Sequence, residues 1–185
     1  IYRRNLESSG VEIIPGFAQF ESSSSVRVSN QRISAEHILI ATGGRPMIPD
    51  IPGAELAITS DGFFELELQP KRVLVIGAGY IATELAGVLH SLGSEVTMLL
   101  RKEILLRGFD ATLRETVMDE MQSAGINILT CIHMSAITRE ANGSLAVQAQ
   151  DGNHFGGFDC VLFAIGREPM TDAMALDKTG VVTDS

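Results

Sequence analysis

The sequence predicts an α/β fold: a parallel sheet with a β-meander beside it, joined to an incomplete piece of a second domain. Three observations carry this. From Lys71 an apolar run, a glycine turn, an amphipathic stretch, a second apolar run and a second amphipathic stretch succeed one another. That is the βαβα order of a parallel sheet. After Gly125, short strand-like runs alternate with "ANG" and "DGN", which carry hairpin-turn residues. Ahead of Lys71, "GGRPMIPDIPG" (Gly43 to Gly53) concentrates proline and glycine into a linker or crossover.

Taken in order, residues 1–10 read as the end of a helix stopped by Gly10. "VEIIPGFAQFES" reads as strand and turn, "SSSS" (Ser22 to Ser25) as an exposed turn, and "VRVS" and "HILIATGG" as short strands. In "ITSDGFFELELQPKR", Ser60 or Asp61 caps a short helix and Pro70 ends it. "RVLVIGAG" is a continuous apolar strand, as expected when both sheet faces are covered. "YIATELAGVLHSLG" puts Ile81, Leu85, Val88, Leu89 and Leu92 on one helical face, with Gly93 as the stop. "EVTMLL" is a second buried strand. "DATLRETVMDEMQSAG" is a helix capped by Asp110 and ended by Gly125. "INILT", "AITRE", "LAVQAQ" and "DCVLFAIG" are expected to form the meander, its last strand returning to the parallel sheet. "ILIATGGRP" and "VLFAIGREP" echo each other, both apolar strands ending in Ala-x-Gly with Arg and Pro beyond.

Composition narrows the function classes. The 185 residues are 45% hydrophobic and 20% charged, which suits an ordered globular chain. The net charge of −9 argues against nucleic-acid or membrane-surface binding, because phosphate contacts need clustered Lys and Arg. No run approaches the roughly 20 apolar residues of a membrane-spanning helix. The chain begins at Ile1, so a piece of a longer protein is expected. Cys131 and Cys160 lie far apart and read as two small buried side chains. No cysteine pair suited to redox chemistry and no metal-ligand cluster stands in the sequence.

The chemistry centres on "GAGYIA". Gly77, Gly79 and Ala82 fit GxGxxG/A, and the motif follows a strand and opens a helix, the context it requires. Gly77 permits the tight turn. Gly79 lets a pyrophosphate approach the backbone, and Ala82 keeps helix and strand close. The first-turn N–H groups and the helix dipole then face an anion. A carboxylate about 20 positions on would accept a ribose 2′-OH and favour NAD. Arg101 stands there instead, 24 positions after Gly77, with Lys102 beside it and Arg107 further along the loop. A guanidinium binds a 2′-phosphate with a planar fork. The pattern predicts NADPH, preferred over NADH by about 10- to 150-fold.

"RVLVIGAGYIATELAGVLHSLGSEVTMLLRKEILLRGFD", with "ILIATGGRPMIPDIPGA" and "DCVLFAIGREP", resembles the central region of the glutathione reductase family of flavoprotein pyridine nucleotide-disulfide oxidoreductases. The resemblance spans nearly the whole chain. It implies a Rossmann-like NADPH domain at 70–168 and the C-terminal part of a FAD-domain segment at 1–43. A crossover at 44–69 and a return towards the FAD domain at 169–185 complete the implied layout. In such a parent, electrons pass from NADPH to FAD, to a redox disulfide, then to glutathione disulfide. Tyr80 would cover the nicotinamide pocket, with Ile81 in the same helical turn. Glu84 would face nicotinamide and flavin, Gly166 and Arg167 would lie near the dinucleotide, and Thr42 and Gly43 would belong to the FAD-domain edge. The resemblance also implies a cytoplasmic homodimer formed through a C-terminal domain.

The family's flavin fingerprint, CxxxxC pair and catalytic His have no counterpart here, so no catalytic residue is assigned and this chain alone is not expected to reduce disulfides. Two alternatives stand beside this reading. One is the NADPH-binding part of another flavoprotein disulfide reductase. The other is a non-catalytic NADPH-sensing module.

Overall fold

The computed structural model describes residues 2–184 and falls into two compact units, Ile1–Gly44 with Pro169–Ser185 and Arg45–Glu168. The first contains helix α1 (Tyr2–Ser8) and an antiparallel sheet of β1 (Ala18–Ser22), β2 (Ser25–Val28) and β3 (Gln31–Ser34). Gly10, at φ 76°, stops α1 while the N–H of Val11 closes back on the carbonyl of Leu6. Phe20 and Val28 are buried, as the period-two pattern requires. The serine run is not wholly an exposed turn. Only Ser23 and Ser24 make the turn, and Ser25 falls on the inward side of β2, buried, with its Oγ 2.8 Å from that of Ser22.

The structure departs from the strand expected at "HILIATGG". Residues 35–43 form none, and Leu39 is 89% exposed. A strand needs a neighbour for its backbone groups, and among the described residues no strand lies beside this stretch.

The second unit, with the first residue of β4 and the last of β13 falling just outside its bounds, contains β4 (Gly44–Pro46), β5 (Ile58–Thr59), α2 (Ser60–Phe63), β6 (Arg72–Ile76), α3 (Tyr80–Ser91), β7 (Glu95–Leu99), α4 (Ala111–Ser123), β8 (Asn127–Leu129), β9 (Met134–Arg139), β10 (Leu145–Ala149), β11 (His154–Phe158), β12 (Cys160–Phe163) and β13 (Arg167–Pro169). β4 and β13, which include the two echoing segments' Arg-Pro and Arg-Glu-Pro, pair where the chain passes between units. Five strands form one parallel sheet in the order β5-β12-β6-β7-β8. β9, β10 and β11 form the antiparallel meander.

Residue parity explains the unbroken apolar strands. Val73 and Val75 of β6 join Val96, Met98 and Leu162 in a core beneath α3 and α4. Leu74 and Ile76 point the other way, joining Leu99, Val161 and Phe163 against Ile137, Leu145, Val147 and Phe158 of the meander. Each face of the sheet therefore has its own cover. The carboxylate of Asp159 accepts the N–H groups of Lys71 and Arg72 at 3.0 and 2.9 Å, fixing the start of β12 beside that of β6.

"INILT" gives β8, a parallel edge strand beside β7 rather than part of the meander, with Ile128 packed on the helical core. The third meander strand is β11, whose "HFGGF" is held by Phe155 and Phe158 packing under the sheet. α3 buries Ala82, Leu85, Ala86 and Leu89, whereas Val88 and Leu92 are exposed. The stripe i, i+3, i+4, i+7 begins at Ala82, because two alanines let the helix approach the strands closely. α2 stops at Phe63, well before Pro70, and Thr59 occupies its N-cap. Cys160 is buried on β12, but Cys131 is exposed in a left-handed turn at φ 59°. Among the described residues no helix is long and apolar enough to cross a membrane, and no His, Cys, Asp and Glu cluster could hold a metal ion.

Candidate functional site

β6 ends at Ile76 and the chain turns through Gly77, Ala78 and Gly79 into α3. The two glycines serve opposite needs. Gly77 has φ 147°, and a Cβ there would collide with the carbonyl of Ala164 and lie 3.3 Å from the Cβ of Ala82. Its N–H donates to Leu99 at 3.1 Å, so the turn is locked to β7. Gly79 has φ −86°, ordinary for any residue, and a Cβ there meets nothing within 4 Å. It faces open space. As N-cap it offers no side chain to the first N–H groups of α3, which are left for another acceptor. Ala82 is fully buried beneath the turn.

A cleft of about 890 Å³ opens at this turn, lined also by the residues that follow β7 and β12. These are the carboxyl ends of parallel strands, where ligands of open α/β sheets bind. Gly77, Gly79, Tyr80, Ile81, Arg101, Lys102, Arg107, Gly166 and Arg167 all line it. Ala82 and Glu84 do not. Glu84 is exposed one turn further along α3. Thr42 and Gly43 belong to the other unit, where the Gly43 carbonyl accepts the N–H of Met170 at 3.0 Å.

The basic loop owes its place to buried neighbours. Leu100 continues inside the core beyond β7, its N–H donating to Leu129 at 2.8 Å. The chain emerges at Arg101, and Leu105 and Leu106 then return to the interior. Leu106 takes φ 53° and donates its N–H to the carbonyl of Ala78 at 2.7 Å. Asp110 closes the loop by capping α4, accepting from the N–H groups of Thr112 and Leu113 at 2.9 and 3.4 Å. Among the described residues no carboxylate forms an ion pair with Arg101, Lys102 or Arg107. Three cations without acidic partners, beside an uncapped helix start, suit a multiply charged anion.

At the far wall Gly166 has φ 140°, its carbonyl accepts from Met47 at 2.9 Å, and a Cβ would stand 3.1 Å from the Met47 sulfur. The Arg167 guanidinium lies 3.5 Å from Asp61 and from the Ser60 hydroxyl. Tyr80 is 56% exposed at the first position of α3.

Sequence reasoning missed the contribution of the meander's near edge. Ile132, His133, Met134 and Gln150 also line the cleft. The N–H of Gln150 donates to His133 at 2.7 Å, and that of Ile132 to Leu100 at 3.0 Å. The sequence signal was slight: a break between two strand-like runs, turned by Cys131 without glycine or proline.

The family model described as pyridine nucleotide-disulphide oxidoreductase matches residues 2–185. A glutathione reductase of Schizosaccharomyces pombe (strain 972 / ATCC 24843) is 46% identical over 191 residues, covering 99% of this chain and 41% of that protein. One of Yarrowia lipolytica (strain CLIB 122 / E 150) is 43% identical over 196 residues, covering 100% and 42%. The chain thus spans about two fifths of the length of these curated relatives. The HOCl-induced flavoprotein disulfide reductase RclA from Escherichia coli superposes with a TM-score of 0.85 at 27% identity, over 98% of this chain and 42% of that one. With a match from residue 2 to residue 185, the chain belongs to the pyridine nucleotide-disulphide oxidoreductase family.

Proposed function

We propose that this chain is the NADPH-binding portion of a glutathione reductase-like flavoenzyme. The observation that carries this is the coincidence, in one cleft, of the uncapped start of α3 at open Gly79 with Arg101, Lys102 and Arg107. The α3 N–H groups and dipole hold the pyrophosphate, and Gly79 admits it. Arg101 and Arg107 bind the 2′-phosphate, with Lys102 adding charge. Tyr80, half-exposed where the helix begins, covers the nicotinamide, and Ile81 packs beside it. Gly166 and Arg167 close the far wall. The role of Glu84 toward nicotinamide and flavin, and that of Thr42 and Gly43 at a flavin domain, rest on family resemblance.

When bound, NADPH supplies a hydride. In the whole protein its electrons would pass through FAD and a redox disulfide to glutathione disulfide. That protein would be a cytoplasmic homodimer assembled through a further domain. Residues 1–43 and 169–185 would belong with the FAD domain, 44–69 to the crossover and 70–168 to the NADPH domain. Both relatives named above are glutathione reductases, which favours this substrate over that of another disulfide reductase and over a sensing module.

The test is calorimetry on the purified chain with Arg101 and Arg107 both replaced by Gln. NADPH affinity should fall by about 10- to 150-fold. NADH affinity should stay within about twofold. Equal loss for both nucleotides would reject the assignment.

A further inference from the structure

Arg114 is an odd residue for its position. It lies in the second turn of α4, one turn beyond the cap Asp110, where a cation opposes the helix dipole. No ion pair of Arg114 compensates this among the described residues. Its Nη1 instead donates a long hydrogen bond, 3.5 Å, to the carbonyl of Arg107. Its Nε is buried without a hydrogen-bond partner among the described residues.

The Arg107 carbonyl is a consequential acceptor. The preceding residue, Leu106, is fastened to Ala78 of the glycine turn. Two further on, the N–H of Phe109 donates to Leu106 at 2.8 Å. Arg107 is therefore held through its neighbours by the glycine turn and through its own carbonyl by α4. Fixing the backbone removes part of the conformational entropy that the loop would otherwise lose on binding an anion. The Arg114 charge also adds to the positive potential within about one Debye length of the loop.

We propose that Arg114 is a positioning residue: it holds the Arg107 segment and thereby sharpens selection of a dinucleotide bearing a 2′-phosphate over one without it. The proposal rests on the NADPH reading above. NADH lacks the phosphate, so it does not draw on this loop to the same degree. Removing Arg114 should thus change the ratio of the two affinities, whereas general damage to the fold would lower both.

The experiment uses the 185-residue chain and its Arg114→Gln and Arg114→Lys variants, titrated with NADPH and NADH, with amide hydrogen exchange on the ligand-free proteins. Arg114→Gln should weaken NADPH about fivefold and NADH less than twofold. The Leu106 and Phe109 amides should exchange about fivefold faster while those of β6 are unchanged. Arg114→Lys, which keeps a charged donor, should recover most of the NADPH preference and decides the matter if the Gln variant does not fold. An unchanged affinity ratio or unchanged Leu106 exchange in the folded variants overturns the proposal. If the unmodified chain binds both nucleotides equally, the NADPH reading fails at that step, and the selectivity part of this proposal fails with it. Faster loop exchange would then still show that Arg114 holds the segment.

Discussion

The backbone N–H of Leu106 donates to the carbonyl oxygen of Ala78 at 2.7 Å, across 28 positions of sequence. Ala78 is the middle residue of the glycine turn, and Leu106 precedes Arg107. The glycine turn and the cationic loop therefore form one structure. A residue held at φ 53° without being glycine stores strain, and the buried Leu106 side chain offsets it by packing in the helical core. The helix start and the arginines can thus act on two ends of one ligand with a fixed separation.

The two glycines should separate stability from binding. Gly77→Ala places a Cβ against the Ala164 carbonyl at a φ that L residues rarely adopt, and should cost about 2–4 kcal/mol in urea unfolding. Gly79→Ala meets no atom of the chain and should cost within about 1 kcal/mol. It should nevertheless weaken NADPH by at least about tenfold, because its Cβ would enter the open space proposed above for the pyrophosphate. Equal destabilisation by the two variants would contradict this division.

Glu140 gives a pH signature outside the cleft. Its carboxylate is held below the ordinary range by the Ser144 hydroxyl at 2.6 Å, then by the Gly157 N–H at 3.0 Å, with His154 and Arg72 adding smaller effects. A depressed folded pKa contributes stability that is present above the ordinary value of 4.5 and is lost as pH falls through the folded value. The melting temperature of Glu140→Gln should therefore lie below that of the unmodified chain near neutral pH. The gap should close as the pH falls below 4.5. A gap constant with pH would show that the carboxylate's charge plays no part.

The cysteines should react in sequence. Burial, and then the negative charge of Asp159, pushes the Cys160 thiol up to about 11, while Cys131 is exposed. A thiol-specific chromogenic disulfide should label one cysteine of the native chain, and the second only in denaturant. Two fast reactions in the native state would be inconsistent with the packing of β12.

What could be read from sequence followed from short-range rules. The Asp110 cap, the Gly10 and Gly125 stops and the β6–turn–α3–β7 unit each depend on residues within a few positions of one another, and all stand in the structure. The clustering of cations was also legible, since Arg101 follows directly from where β7 ends. Other features depended on distant partners. β8 reads like a meander strand until its neighbour is known to be β7. β11 has two glycines and no alternation, and it exists because Phe155 and Phe158 find the underside of the sheet. The Leu106–Ala78 bond joins two backbones, so no side chain announces it. The cleft wall from Ile132 to Met134 and Gln150 likewise appears only when β9 and β10 pair.

The central claim, that this cleft selects a 2′-phosphorylated dinucleotide, is tested most directly by titrating the unmodified chain with NADPH and NADH at low and high salt. NADPH should bind about 10- to 150-fold more tightly at low salt. The advantage should shrink as salt screens the exposed arginines. Equal affinities at low salt, or a preference for NADH, would contradict it.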